Sequence, residues 1–462
     1  MALQLFKGYD VRGIYGSELD EPLMERIGAA FSTFFPTGTD VLFGHDPRPS
    51  SIPLSQAFLK GATDGGLDAT NLGMVPTPLI LYALAHRKSA GGAMVTASHN
   101  PPQYNGVKLY SHDIPFPSGR MQAMGEMVEG GKKFPNARKK GAVRNLDLNP
   151  EYANAVVLKS HPSRKLEAVL DAGNGACGIA APLAYEKLCG LTRLYCEPDG
   201  TFPNHLADPH REETLATLKK TVMEKKADLG IALDGDGDRV AFVDELGRKV
   251  RSDDAIVIFA RHYLKLRRGA SVAFDLRCSN IVREEIVANG GKAVMTKAGR
   301  TNVIAAVMQH NAVLGGEQTG HAFFSEMYSH DDAIFAGAKM IEIVSKSGLP
   351  LSKMVDSIKR YPSTPEIRLA VPHDRKIAVV ESVKKQLSAA AAKLGATLLD
   401  IDGVRLDLPN GAWGLLRVSN TEPAITMRFE ARTPKELQEV YSLFRERIAS
   451  QGVKMGEKAA VG

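Results

Sequence analysis

Cysteine is scarce in this chain of 462 residues: Cys177, Cys189, Cys196 and Cys278 form no CxxC pair and show no zinc-ligand spacing. That argues against a disulfide framework and a structural zinc, and for reduced thiols. No apolar run approaches the roughly 18 residues that a membrane helix requires. The N-terminus carries no charged-then-apolar signal pattern, so a cytoplasmic protein is expected, without membrane contact. There is no Lys/Arg-rich run, and 58 Lys+Arg against 52 Asp+Glu leave a net charge of only +6. So mild an excess suits a small anionic ligand rather than a nucleic acid. A GxSxG nucleophile elbow is also missing, which leaves a serine hydrolase poorly supported. What is present is ordinary for a globular protein, 44% hydrophobic and 24% charged, over a length that implies three or four compact units.

Short apolar runs alternate with helical stretches, an α/β pattern. Strands are expected near Val41–Phe43, Gly91–Val95, Leu166–Leu170, Leu229–Leu233, Val272–Phe274 and Ala312–Leu314. Helices are expected over Glu21–Phe35, Ser55–Gly65, Leu79–His86 and Glu212–Lys225. Beyond Tyr361–Pro362 the pattern becomes α+β, with strands near Glu366–Val371, Val404–Asp407, Trp413–Val418 and Ala424–Glu430 and helices over Lys376–Leu394 and Thr433–Ser450. The units divide as 1–145, 146–251, 252–362 and 363–462. Repeatedly an apolar strand runs into a loop loaded with Asp, Arg, Ser, His and Gly. Ligands of open α/β sheets bind beyond the carboxyl ends of the strands, so three such units imply a shared cleft.

Four constellations carry chemistry. Thr96–Ala97–Ser98–His99–Asn100–Pro101–Pro102, followed by Asn105–Gly106–Val107–Lys108, sets a hydroxyl at a strand end with an imidazole and an ammonium close by. Such a serine is a nucleophile or a turn cap. Asp234–Gly235–Asp236–Gly237–Asp238–Arg239 sets three carboxylates at alternate positions, which repel unless a hard cation neutralises them. It is not an EF-hand: Glu245 falls at loop position 12, but position 6 is Arg239 where that loop needs Gly, and strands flank it. Three side-chain ligands leave Mg²⁺ open positions for a phosphate oxygen. Glu317–Gln318–Thr319–Gly320–His321 offers a Glu and a His to grip adjacent sugar hydroxyls. Arg417–Val418–Ser419–Asn420–Thr421–Glu422–Pro423 offers a guanidinium, two hydroxyls and an amide to surround a phosphate, or a β-turn between strands.

With the opening Tyr9–Asp10–Val11–Arg12–Gly13, these motifs in this order resemble the α-D-phosphohexomutase superfamily, of the phosphomannomutase/phosphoglucomutase type, across essentially the whole chain. The resemblance implies an α/β protein of four domains around a central cleft, three similar α/β domains plus a C-terminal α+β domain. It implies an isomerase interconverting hexose 1-phosphate and hexose 6-phosphate of mannose, glucose or both, through a phosphoserine and a hexose 1,6-bisphosphate that also serves as activator. By that likeness Ser98 carries the phosphoryl group, and one Mg²⁺ per chain is held by Asp234, Asp236, Asp238 and Ser98. Arg12 and Arg239 offset charge, and His99 or Lys108 assists proton movement. Tyr9, Arg277, Arg300, Glu317, Thr319 and His321 then contact the sugar phosphate, while Arg417, Ser419, Asn420 and Thr421 hold the phosphate that stays. The partner is a small phosphosugar, and the protein is a monomer or weak homo-oligomer.

The chain departs from that pattern at three places. Gly299–Arg300 stands where many relatives carry Gly-His, and Arg cannot easily replace a His base. The sugar loop reads Glu-Gln-Thr rather than Glu-Met-Ser, and its glutamine is familiar from phosphoglucosamine mutases, whose openings usually differ from this one. Arg277 stands where Lys is common and keeps the charge. The alternatives are therefore a phosphoglucosamine mutase of the same mechanism and, from another class, a non-catalytic sugar-phosphate binding protein; the second would have lost the serine or a metal-loop carboxylate, and all are retained here.

Overall fold

The computed structural model describes residues 2–6, 8, 10–112, 114–131, 134, 136–419 and 423–456. Four sheets follow one another along the chain. In the first, Gly91–Val95, Asp40–His45, Asp68–Met74 and Val143–Asn145 run parallel in that order, with Tyr104–Ser111 and then Asp10–Ile14 added antiparallel beyond Gly91–Val95. In the second, Leu229–Leu233, Glu167–Asp171 and Gly190–Leu194 are parallel, and Val240–Asp244 returns antiparallel against Leu229–Leu233. The third places Ser271–Asp275 between Lys292–Thr296 and Leu314–Gly316, continued by Ala322–Phe324 and His330–Asp331. The fourth is wholly antiparallel, ordered Ile367–Ala370, Ala424–Glu430, Trp413–Val418, Val404–Asp407, Thr397–Leu399. Three mixed α/β layers and a C-terminal α+β unit are thus the observed architecture.

Continuous apolar runs become central strands because both sheet faces are covered by helices. Leu229–Leu233 is buried at every position, and its bounds match those read from the sequence. Helix ends move by a turn where capping decides them. The first helix spans Glu21–Ser32, with Asp20 accepting from the Leu23 amide and Pro22 in the first turn. The stretch Glu212–Lys225 splits into a 3₁₀ turn at Glu213–Leu215 and a helix over Ala216–Lys225.

One apolar core runs from Leu42 of the first sheet through Ile231 and Phe242 of the second to Phe274 of the third, and on to Tyr361 at the end of the third unit. The fourth sheet and its helices, His373–Leu394 and Pro434–Ala449, enclose a core of their own. The third and fourth units meet at a small apolar patch of Leu276, Ala298, Trp413 and Leu415, surrounded by buried charge. Arg405 stacks 3.9 Å over Trp413 and donates to the Leu276 carbonyl (2.6 Å) and Asn280 Oδ1 (2.7 Å), while Arg428 donates to the Arg277 carbonyl (2.6 Å). The first three units therefore share a dispersion-packed interior, and the fourth docks through directional hydrogen bonds. Among the described residues, no helix is long and apolar enough to cross a membrane.

Arg405→Ala removes the stacking and both inter-unit hydrogen bonds, so the docking should weaken by about 2–4 kcal/mol. Differential scanning calorimetry should then show the fourth unit melting in an earlier transition; a single transition at the wild-type temperature would contradict this account of the junction.

Candidate active site

A cleft of about 990 Å³ opens at the carboxyl ends of these strands. Its walls include Arg12, Ser98, His99, Lys108, Asp238, Arg239, Arg300, Thr319 and His321, so residues from three sheets converge there. The serine loop follows Gly91–Val95, and the Asp loop is the hairpin between Leu233 and Val240. Ser98 Oγ donates to Asp234 Oδ2 at 2.6 Å and lies 3.1 Å from His99 Nδ1. Ser98 itself has φ of +52°, the left-handed region that a residue with a Cβ adopts only when its surroundings impose it. Close approach of the two loops depends on Gly235, because a Cβ there would stand 2.5 Å from the Ser98 carbonyl oxygen.

The Asp loop is a buried cluster of negative charge. Burial, reinforced by repulsion from Asp238 and Asp236, holds Asp234 well above the usual carboxylate range. Burial also opposes ionisation of Asp238, but Lys108, His321 and Arg300 outweigh it and hold this carboxyl well below that range. Lys108, buried on the strand Tyr104–Ser111, bridges Asp236 Oδ2 at 2.5 Å and Asp238 Oδ2 at 2.6 Å. Despite desolvation, Asp236 and Asp238 raise its pKa above the ordinary lysine value, so it is an ammonium at neutral pH. Opposite behaviour is seen at His99, whose pKa is driven well below the ordinary value by burial and then by Arg239 and Arg12. It is a neutral imidazole, with Arg239 Nη1 2.8 Å from its Nδ1.

The carboxylate oxygens of Asp234, Asp236 and Asp238 lie close enough together to hold one metal ion. Two observations fit a hard cation there: all three carboxylates are buried, and Asp236 Oδ1 has no hydrogen-bond partner. Oxygen donors of this kind suit Mg²⁺ or Ca²⁺ rather than a thiophilic metal.

Around the sugar-loop sequence the geometry is equally specific. His321 Nδ1 meets Glu317 Oε2 at 2.6 Å, and its Nε2 lies 3.3 Å from Asp238 Oδ1. Thr319 Oγ1 is 3.3 Å from both Glu317 Oε2 and His321 Nδ1. The Gly299 amide donates to Glu317 Oε1 (2.7 Å), and Arg277, paired with Asp275 at 2.7 Å, stands 3.6 Å from the same oxygen. Arg300 is buried, bound to Asp331 Oδ1 at 2.8 Å and 3.9 Å from Asp238 Oδ2.

The fourth unit is arranged differently. Arg417 is the penultimate residue of the strand Trp413–Val418 and donates to Asp402 Oδ2 at 2.9 Å; neither it nor Ser419 walls the cleft. Tyr9, Asn420 and Thr421 lie outside the described residues. Among the described residues of the fourth unit it is Arg368 that reaches the cleft wall, at a position outside all of the sequence motifs. Asn100 and Asp10, which stand in the serine and opening motifs with no role assigned to them there, accept from the Arg12 guanidinium at 2.8 and 2.7 Å. Asp46 and Arg48, behind the serine loop, were visible only as polar residues after the strand Asp40–His45; the strand-then-charged-loop layout was the signal that marked them.

Fold and site together define an enzyme that works on phosphorylated sugars in a cleft shared by four domains. The chain belongs to the phosphoglucomutase/phosphomannomutase family: it matches alpha/beta/alpha domain I over residues 3–133, domain II over 150–247, domain III over 251–361 and the C-terminal domain over 366–447. It is 36% identical over 449 residues to the phosphomannomutase/phosphoglucomutase of Pseudomonas aeruginosa, covering 96% of this chain and 95% of that one. It is 35% identical to a phosphoglucomutase of Neisseria meningitidis serogroup A, over 97% and 98% of the two chains. The crystal structure of a phosphoglucomutase/phosphomannomutase family protein from Burkholderia thailandensis superimposes with a TM-score of 0.89 at 30% identity, over 99% of each chain.

The buried His321 carries a testable signature. Burial lowers its pKa, but Asp238 and Glu317 more than compensate and raise it from 6.5 to about 9. A raised folded-state pKa means the stabilisation is complete below the ordinary value and is lost as pH climbs through the folded one. His321→Gln should therefore cost on the order of 3 kcal/mol near pH 6.5 and progressively less as pH rises from there, with little of the cost left beyond about 9. Chemical denaturation of both proteins across that range measures the gap; a pH-independent gap would refute the imidazolium.

Proposed function

We propose that this chain interconverts the 1- and 6-phosphates of mannose or glucose by passing a phosphoryl group through Ser98, with a hexose 1,6-bisphosphate bound between the two transfers. The observation that carries this reading is the meeting of Ser98 Oγ with Asp234 Oδ2 at 2.6 Å, on a cleft also walled by Arg12, Lys108 and Arg239. A nucleophile for phosphoryl transfer needs alignment and neutralising charge more than covalent help, and both surround this hydroxyl.

In this reading, phosphorylated Ser98 donates to the 6-hydroxyl of a hexose 1-phosphate: the Ser98 Oγ–P bond breaks and the O6–P bond forms. The reoriented bisphosphate then returns its 1-phosphoryl group to Ser98, breaking the O1–P bond and leaving hexose 6-phosphate. The sugar hydroxyl gives up one proton in the first half and takes one back in the second, so the cycle is proton-neutral. His99, a neutral imidazole beside Oγ, is suited to carry that proton. Lys108 serves better as fixed positive charge than as base, because its ammonium is held by two carboxylates. Arg12 and Arg239 face the transferring group; Glu317, Thr319 and His321, braced by Arg277 and Arg300, meet the sugar hydroxyls. Arg417, Ser419, Asn420 and Thr421, with Tyr9, are assigned to the remaining phosphate and sugar by motif, and Arg368 joins them by its place on the wall.

Mg²⁺ bound by Asp234, Asp236, Asp238 and a Ser98 phosphoryl oxygen would supply Lewis-acid charge to the transferring group. The buried carboxylates and the partnerless Asp236 Oδ1 support one such ion per chain.

Turnover should be measured on mannose, glucose and glucosamine 1-phosphates with Mg²⁺ and a trace of hexose 1,6-bisphosphate. Conversion of the mannose or glucose ester is the expected result. Activity confined to glucosamine 1-phosphate would move the assignment to the phosphoglucosamine mutases, and binding without turnover of any sugar would make the chain a sugar-phosphate binding protein. Ser98→Ala should lower turnover by at least about 10³-fold while bisphosphate binding, followed by calorimetry, persists. Substantial turnover by that variant would remove Ser98 from the role of carrier.

A further inference from the structure

Behind the serine loop sits a guanidinium that no substrate can touch. Arg48 is buried, its side chain 0% exposed, and it is absent from the cleft wall. Its Nη2 donates to the carbonyl oxygens of Ser98 (2.8 Å) and Asn100 (2.6 Å), and its Nη1 to those of Pro101 (2.6 Å) and Tyr104 (3.0 Å). The fifth donor, Nε, goes to Asp46 Oδ2 at 3.0 Å. All five N–H groups of the guanidinium are thereby used, four of them on one stretch of backbone. Four carbonyl dipoles converging with their negative ends together repel one another, and this loop geometry exists only with a planar forked cation at its centre.

Asp46 completes the grip from the other side of the nucleophile. Its Oδ2 also accepts from Thr96 Oγ1 (2.7 Å), and Thr96 Oγ1 in turn accepts from the Ser98 amide (2.9 Å). Its Oδ1 accepts from Ser51 Oγ (2.6 Å) and from the Arg48 amide (3.0 Å). The N–H and the C=O of Ser98 are therefore both tied to one ion pair, which accounts for a non-glycine residue resting at φ +52°. The Ser98 carbonyl is confined between Arg48 Nη2 and the backbone of Gly235, so the same contact sets the spacing of serine loop and Asp loop. The second unit seals the arrangement: the Phe202 ring lies 5.0 Å from the Arg48 guanidinium, and Gly200 comes so close that a Cβ there would be 2.2 Å from Arg48 Cα.

We propose that Arg48, held by Asp46 and covered by Phe202, is a positioning residue that fixes the backbone of residues 98–104 so that Ser98 Oγ is presented to the Asp loop, and that it governs the rate of phosphoryl transfer rather than substrate affinity. The proposal rests on the reading of Ser98 as the phosphoryl carrier. A pair acting only to stabilise the fold would show itself in unfolding; a positioning pair shows itself in kcat and in the local stability of one loop.

Arg48→Lys retains the charge opposite Asp46 but replaces a planar fork by a single point of donors. Misplacement of reacting groups by about 1 Å costs on the order of 100-fold in rate. In Arg48→Lys, kcat should fall by about that factor while KM stays within about threefold, because every cleft-facing group is retained. Amide hydrogen exchange should quicken in peptides covering 97–104 and stay at the wild-type rate in the other sheets. A folded Arg48→Lys protein with wild-type kcat, or with unchanged exchange in that loop, overturns the proposal. Should Arg48→Lys fail to fold, Phe202→Leu removes the covering ring and leaves the ion pair; a several-fold loss of kcat with faster loop exchange supports the proposal, and neither change overturns it. Wild-type protein runs in the same assay: its inactivity on every phosphosugar would count against the proposed reaction, while loop exchange still decides the role of Arg48.

Discussion

Compensation of buried negative charge at the hairpin Asp234–Asp238 is the constraint around which the molecule is arranged. Carboxylates placed side by side out of water are intolerable without counter-charge. The first unit contributes Lys108, bonded to two of them, and the third contributes His321 and Arg300 to Asp238. The serine hydroxyl completes the shell at Asp234. A loop of carboxylates that repels itself thus becomes the point to which separate units are drawn, and the charges that hold the units together there also line the cleft.

Packing divides the labour. The first three units share one apolar core, which keeps Ser98, the Asp loop and the Glu317–His321 loop in fixed relation. In the proposed reaction Ser98 and its charge partners would gain from such rigidity, since rate depends steeply on alignment. The fourth unit has its own core and docks through Arg405, Arg428 and the Trp413 stack. Of its described residues Arg368 alone reaches the cleft wall, while Arg417 is engaged with Asp402.

Much of this was legible in the chain before folding. Alternating carboxylates relieved by glycine, a serine after a buried strand, and strands with uniform apolar character are local properties, and local spacing preserves them. The central strands Leu229–Leu233, Val404–Asp407, Trp413–Val418 and Ala424–Glu430 have the bounds their apolar pattern implies. Less legible were Arg48, Asn100 and Arg368. An arginine after a strand looks the same whether its guanidinium faces water or four carbonyl oxygens, and only the path of the loop decides between them.

The layers, the order of the motifs and the kinds of group available for chemistry are written locally in the chain, because periodicity and turn residues act over a few neighbours. Tertiary structure alone decided which groups meet. Ser98 and Asp234 are 136 positions apart, and Lys108 and Asp238 are 130 apart. Protonation was decided there as well: His99 and His321 are the same side chain, yet burial among guanidinium groups leaves one neutral and two carboxylates keep the other charged. Side-chain type sets what a residue can do; the local dielectric and the charges brought to it by folding set which of those things it does.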